Sequence, residues 1–418
     1  MFIQIHMLQS MPPGNLNRDD TGQPKKCLFG GVTRARISSQ CLKRNIRTSD
    51  YFEAAFGSKL AKRTKYLPHL VAQALQGIAA ISPTEIEGVK AGIAAQFKKE
   101  AKKGPEDDGE GADAAGGNES SGQTPQLVFF NPIFADKIAD LLVGMKKDNP
   151  KAFSKFIGEK AKRSKEEEKA AEEAISAFRK QAFNARESLS IDVGLFGRMT
   201  TSDLIVDVEA ACQVAHAIST HEVLIESDYF TAMDDLKETL ATSQSASGGA
   251  AFLGSGDTET FFNSAVYYKY LNIDTRALSK NVDGAADDQV GRAVGVMVQA
   301  AALANPTGKQ NSFAAHSAPE WILIEASAVR QPVSYANAFL KPVDGDNLMH
   351  ESAAAISGYC QSVAAAFAPP DTQRFLLAVG NAGDIPFPIK AKKVATLAEL
   401  MTAVEAAVRP SLKAHGAA

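Results

Sequence analysis

Between Leu16 and Arg47 the chain sets eight bases, Arg18, Lys25, Lys26, Arg34, Arg36, Lys43, Arg44 and Arg47, against two acids, Asp19 and Asp20. This local excess of six positive charges lies in a 418-residue chain whose net charge is −3. A positive strip confined to one stretch of a slightly acidic protein argues against indiscriminate polyanion binding and for a particular anion surface. Repeated phosphates are the obvious anion for so wide a strip, held by lysine, arginine and amide donors that carry no base information. A solvated basic helix face without a ligand is the plain alternative, and periodicity by itself leaves both open.

The elements that would hold such a strip can be read around it. Ser38 and Ser39 suit a helix N-cap, and Gln40, Lys43, Arg44 and Arg47 then fall at i, i+3, i+4 and i+7 on one helix face. Leu42 and Ile46 lie roughly opposite and give that helix a side to bury. Gly30-Gly31 upstream lets backbone approach a ligand closely, and the helix N-terminus offers unpaired N–H groups to an anion. The contacts expected from this stretch are Arg18, Lys26, Arg34, Arg36, Ser39, Gln40, Lys43, Arg44 and Arg47.

Other constellations fail on spacing. Leu303 stands where a P-loop ending at Gly308-Lys309 needs its first glycine, and Gln310 where it needs Ser or Thr. His216 and His221 are five apart, too far for a helical zinc pair, and read as core or surface histidines. Asp19, Asp20, Asp234 and Asp235 could gather a divalent metal for RNA cleavage, although Asp19 and Asp20 could equally order the basic loop. Cys27, Cys41, Cys212 and Cys360 are scattered without a CxxC pair and read as reduced, structural thiols. No catalytic residue, metal or cofactor is expected.

Length predicts two or three domains and composition, 45% apolar and 22% charged, a soluble globular protein. The N-terminus lacks a secretory signal, and the longest apolar run, Val294 to Ala304, falls short of the ~18 residues of a membrane span, so the expected location is cytoplasmic, with no membrane partner. Along the chain, Phe2 to Leu8 predicts a strand stopped by Met11-Pro12-Pro13-Gly14. Tyr51 to Gly57 predicts a helix ending at glycine, and helices follow from Ser58, one starting at Ser82-Pro83-Thr84-Glu85. Gly104 to Gln123 has no large apolar side chain and reads as a disordered insertion. From Pro150 to Phe183 a solvent-facing helix is expected, supported by Glu159–Arg163 or Lys162–Glu166 pairs. Ser188 to Met199 reads as a strand, whereas Ala211, Val214, Ala215 and Ile218 suggest a buried helix face. Ser264 to Ile273 predicts a central strand, Asp287 to Ala304 a helix, Trp321 to Ala326 a strand, Glu351 to Phe367 a helix and Arg374 to Val379 a strand. Strands alternating with helices, broken by two long excursions, give an α+β fold.

Four segments carry a resemblance: NRDDTGQPKKCLFGGVTRARISSQCLKR at Asn17 to Arg44, SIDVGLFGRMTTSDL at Ser190 to Leu204, AHAISTHEVLIESDYFTAMDDL at Ala215 to Leu236, and PTGKQNSFAAH at Pro306 to His316. Together they resemble, in order, the CasC family, the backbone subunit of the type I-E CRISPR Cascade complex. The resemblance implies an RRM-like (ferredoxin-like) palm at 1–57, 186–215 and 254–418, helical fingers at 58–185 and a β-hairpin thumb at 216–253. It implies several copies stacked along one CRISPR RNA among other Cascade subunits, with target DNA read through guide pairing and not by protein. It makes Lys309, Gln310 and Asn311 backbone contacts, and it sets Met199, beside Arg198, against guide bases, where general grounds would place a methionine in the core. Leu224, Ile225, Tyr229 and Phe230, below a Ser243 to Gly249 tip, would then form a surface between copies. The related type III backbone subunits cleave RNA with a loop aspartate; the type I-E resemblance implies no such activity.

Overall fold

The computed structural model describes residues 1–57, 60–98, 122–183, 190–200, 204–229, 232–233, 250–251, 259–282 and 287–413. The tract at 104–121, Leu189, Phe230, Asp234, Asp235 and the 243–249 tip lie outside these residues. The fold is mixed α+β and divides into two units. One comprises Met1–Phe52, Gln213–Ile273 and Gly291–Ala418; the other comprises Glu53–Cys212 and Asp274–Val290.

The first unit is built on a sheet whose strands run, edge to edge, Lys392–Lys393, Gln373–Ala378, Trp321–Ser327, Phe2–Gly14, Glu259–Asp274, Ala217–Ser219, Val32–Ile37 and Lys26–Phe29. Phe2–Leu8 is buried at every position, as a central strand covered on both faces must be, and pairs antiparallel with Trp321–Ser327. Its continuation through Pro12 and Pro13 to Gly14 corrects the expected stop. Pairing with the Trp321 strand ends at Leu8, so the missing proline N–H groups fall where that partner is already gone. The predicted strand at Ser264 to Ile273 lies within Glu259–Asp274, beside the Phe2 strand, and the Asp287, Trp321, Glu351 and Arg374 elements appear within a few residues of their expected bounds. Helix Leu348–Phe367 seals one face by setting Met349, Ala353, Ile356 and Cys360 against Leu8, Tyr268, Trp321 and Leu376.

The second unit is largely helical: Leu67–Ala74, Pro83–Lys98, Ile133–Asp148, Pro150–Phe156 and Lys165–Phe183 bury Val71, Ile93, Leu142, Phe153 and Phe178 together. Ser82 and Glu85 form a capping box, each accepting the other's backbone N–H. The expected Glu159–Arg163 support takes another form. Gly158, at φ +83°, ends the helix before Glu159, and Arg163 donates to Ser154 Oγ at 2.6 Å. Ion pairs instead tie two helices together, Lys151 to Glu167 and Lys155 to Glu168 and Glu172.

Two further expectations of secondary structure are corrected. Ile191–Phe196 is a helix: Asp192 is buried and accepts the N–H of Ala61, and a Cβ on Gly194 would lie 2.8 Å from Val282 Cγ1. Conversely, residues 211–218 carry the short strands Cys212–Val214 and Ala217–Ser219 and no helix, because sheet neighbours claim their backbone. All four cysteines are free thiols.

Candidate nucleic-acid interface

The basic stretch folds into a loop, a hairpin and a helix, each pinned by short-range chemistry. In the loop, Asp19 Oδ1 accepts from Thr21 N at 3.0 Å, Thr21 Oγ at 2.8 Å and Gln23 N at 3.0 Å. The Thr21 hydroxyl is the main cause holding this carboxyl below its ordinary range, so the acid is spent inside the loop. Asn17 links the loop to its neighbours: its carbonyl accepts from Lys25 N at 2.8 Å, its side chain from Ser38 N at 2.9 Å. The Lys309 turn abuts the same place, since a Cβ on Gly308 would come within 2.6 Å of the carbonyls of Asn15 and Leu16.

Strands Lys26–Phe29 and Val32–Ile37 pair antiparallel across Gly30 and Gly31, at φ +62° and +83°, a two-residue turn that suits the strand twist. The close approach that Gly30 permits is to the chain itself: a Cβ there would lie 1.8 Å from the Leu340 carbonyl oxygen, whereas one on Gly31 would meet nothing within 4 Å. Gly30→Ala is therefore expected to cost about 3 kcal/mol or more and Gly31→Ala about 1 kcal/mol, the second being backbone conformation alone. Urea melts of the two variants check this contrast.

Helix Ser39–Arg47 is capped by Ser38, whose Oγ accepts from Cys41 N at 3.3 Å, and buries Leu42 and Ile46 as expected. Gln40 and Arg44 are exposed and Ser39, Lys43 and Arg47 half-exposed. Arg18 and Lys26 are exposed, and Arg36 is half-exposed beside His216. Burial first, then the charges of Arg36 and Lys25, hold the His216 imidazole below its usual range. Lys25 and Arg44 likewise both act on Cys41, whose thiol burial pushes up. The structure thus gathers loop, hairpin and helix cations around one surface.

Three of the expected contacts have side-chain donors engaged within the chain. Arg34 is fully buried, donating to the carbonyls of Phe29 at 3.1 Å, Ser219 at 3.2 Å and Phe339 at 2.7 Å. In the other unit, Arg198 donates to Val206 O at 2.8 Å and Phe129 O at 3.2 Å, and burial pushes it down to about 10. Its fork is spent on backbone, and its own backbone pairs with Val208, leaving the next residue, Met199, 92% exposed. Gln310 donates to Pro306 O at 2.9 Å and Ala315 O at 3.2 Å, closing the turn in which Lys309 takes φ +51°. Lys309 is half-exposed and Asn311 exposed. His216 was read from the sequence as a core or surface histidine, too far from His221 for a helical zinc pair; its place beside Arg36 depends on strand pairing across 180 positions, for which the sequence carries no signal.

Among the described residues no group of three or more His, Cys, Asp or Glu side chains is placed to hold a metal, and no helix is long and apolar enough to cross a membrane. A family model described as CT1975-like protein matches residues 3–403. The chain belongs to that family. No curated protein sequence matches it. Among solved structures it is similar to a chain of a CRISPR RNA-guided surveillance complex, pre-nicking, with TM-score 0.75 and 24% identity over 98% of this chain and all of that one. It is also similar to a chain of a CRISPR RNA-guided surveillance complex with TM-score 0.66 and 21% identity over 97% of this chain and all of that one. At these identities the likeness is one of fold.

Proposed function

We propose that this chain is the CRISPR-RNA-binding backbone subunit of a type I-E-like Cascade surveillance complex. In this reading copies of the chain stack along one guide, beside other Cascade subunits, and grip its backbone while its bases stay free to pair with target DNA. The protein is not an enzyme. Its sheet-bearing part serves as an RRM-like palm, its helical part as fingers, and the Glu226–Tyr229 and Glu259–Phe262 pairing as the root of the thumb. The observation that carries the reading is the ordered basic strip, one of whose two acids, Asp19, is consumed within its own loop. The fold of the CRISPR surveillance-complex chains supports it. Exposed Leu224 (79%) and Tyr229 (59%) support contact between copies, and exposed Met199 supports sequence-blind packing on bases.

Replacing Lys43 and Arg47 together by alanine tests the strip. Affinity for RNA is expected to fall about equally for all sequences, and the slope of log affinity on log salt to become shallower by roughly 1.4 for a single strand. An unchanged slope removes this helix from the interface. The same RNA incubated with magnesium or manganese is expected to stay intact; products that vanish in Asp20→Ala would favour a ribonuclease.

A further inference from the structure

His216 stands exposed at the start of the Ala217–Ser219 strand, whose residues Ala217 and Ile218 pair with Ile37 and Arg36 of the basic hairpin. Its Nδ1 lies 3.3 Å from Arg36 Nη1. A guanidinium can only donate, so Nδ1 accepts and the proton of the neutral ring sits on the outer Nε2. Arg36 is half-exposed, and its Nε has no hydrogen-bond partner among the described residues. Lys25 comes in from the loop, its carbonyl accepting from Arg36 N at 2.9 Å. The charges that act on the ring, Arg36 and Lys25, are both positive, from two different segments. Cys27, on the adjacent hairpin strand and within reach of Arg36, has its thiol pushed up by burial and brings no negative charge.

We propose that His216 completes a phosphate site with Arg36 and Lys25, and that a phosphate bound there draws one proton from solvent onto the imidazole. The inference rests on the RNA-binding reading above. In the free protein two cations oppose a charged ring. A phosphodiester lying against Arg36 and Lys25 neutralises them and adds a negative charge, reversing that opposition. Once protonated, the ring no longer accepts from Arg36. The freed Nη1 and the imidazolium N–H then both donate to the anion, as charge-assisted hydrogen bonds. The sign follows by linkage. The bound state holds the proton more tightly than the free state, so affinity rises as pH falls through the interval between the two and is level above it.

The test measures binding of a short oligouridylate, whose bases do not titrate in this range, by the full chain at constant ionic strength between pH 8 and 5.5. The native chain is expected to bind several-fold tighter at pH 5.5 than at pH 7.5, toward the roughly tenfold limit that one unit of pKa difference between free and bound states sets. His216→Gln, which keeps a polar side chain but cannot take the proton, is expected to lose most of the rise. Calorimetry in buffers of different ionisation heat is expected to register proton uptake near pH 6 in the native chain and little in the variant. Parallel pH profiles for the two proteins, each still binding RNA with a salt-dependent affinity, overturn the proposal and leave the RNA-binding reading intact. Absence of RNA binding at every pH and salt concentration overturns that reading and the proposal with it.

Discussion

Arg34→Met is expected to lower the stability of the sheet-bearing unit by about 3 kcal/mol while removing no phosphate contact. The methionine keeps the length of the stem but deletes the donors to Phe29, Ser219 and Phe339, leaving three carbonyl oxygens in a region where Arg34 itself has no exposure. Orphaned buried acceptors cost about 1–3 kcal/mol each, and the sum is offset in part because a charge need no longer be buried. Stacking of the guanidinium 5.7 Å from the Phe29 ring centre is lost as well. For a unit of this size the change corresponds to a melting-temperature drop of roughly 10 °C.

Its counterpart is Arg44→Ala. Arg44 is exposed on the basic helix, so this variant is expected to melt within about 0.5 kcal/mol of the native protein yet lose RNA affinity and salt slope. A pair of thermal melts and a pair of salt titrations separate the two arginines. If Arg34→Met melts normally and instead loses salt slope, Arg34 contacts the phosphates after all.

That Arg34 is buried while Arg36 of the same strand reaches the surface explains what could and could not be read from the sequence. The basic helix was legible because its causes are local: a serine cap, a 3.6-residue repeat and two apolar residues on the far side. The helix start at Ser82-Pro83 and the apolar strands at Ser264 to Ile273 and Trp321 to Ala326 were legible for the same reason. Arg34 and Arg36 share a face by strand alternation, so no local rule tells them apart. What distinguishes them is the cover: Phe339 and Ser219 close over the first, whereas the second emerges beside His216. The helix at Ile191–Phe196 was misread because its apolar residues at alternate positions fit a strand as well as a short helix. Only the buried Asp192 and the tight seat of Gly194 decide between them, and those contacts are not in the local sequence.

Acid is expected to weaken the same unit through Glu325, and Glu325→Gln to remove that part of the response. Glu325 lies on the Trp321–Ser327 strand, 3% exposed, with Arg374 Nε at 2.6 Å from one oxygen and Tyr335 OH at 2.7 Å from the other. Burial by itself raises this carboxyl. His6, whose Nε2 is 3.6 Å away, Tyr335 and Arg374 together outweigh it and hold the group at about 2. A folded pKa below the unfolded value contributes stability that is fully present above about pH 4.5 and disappears as pH falls toward 2. The shift corresponds to about 3 kcal/mol. At pH 7 Glu325→Gln is expected to be less stable than the native protein by about that amount, because an amide meets the Arg374 charge with a weaker acceptor and leaves it buried without its counter-charge. Urea melts at pH 7, 4 and 3 measure the difference between the two proteins, in which the many exposed carboxylates cancel. The gap is expected to narrow steadily below pH 4.5. A gap that stays constant to pH 3 would mean that the carboxylate is not the charged partner that Arg374 and Tyr335 hold in place beneath the Leu348–Phe367 helix.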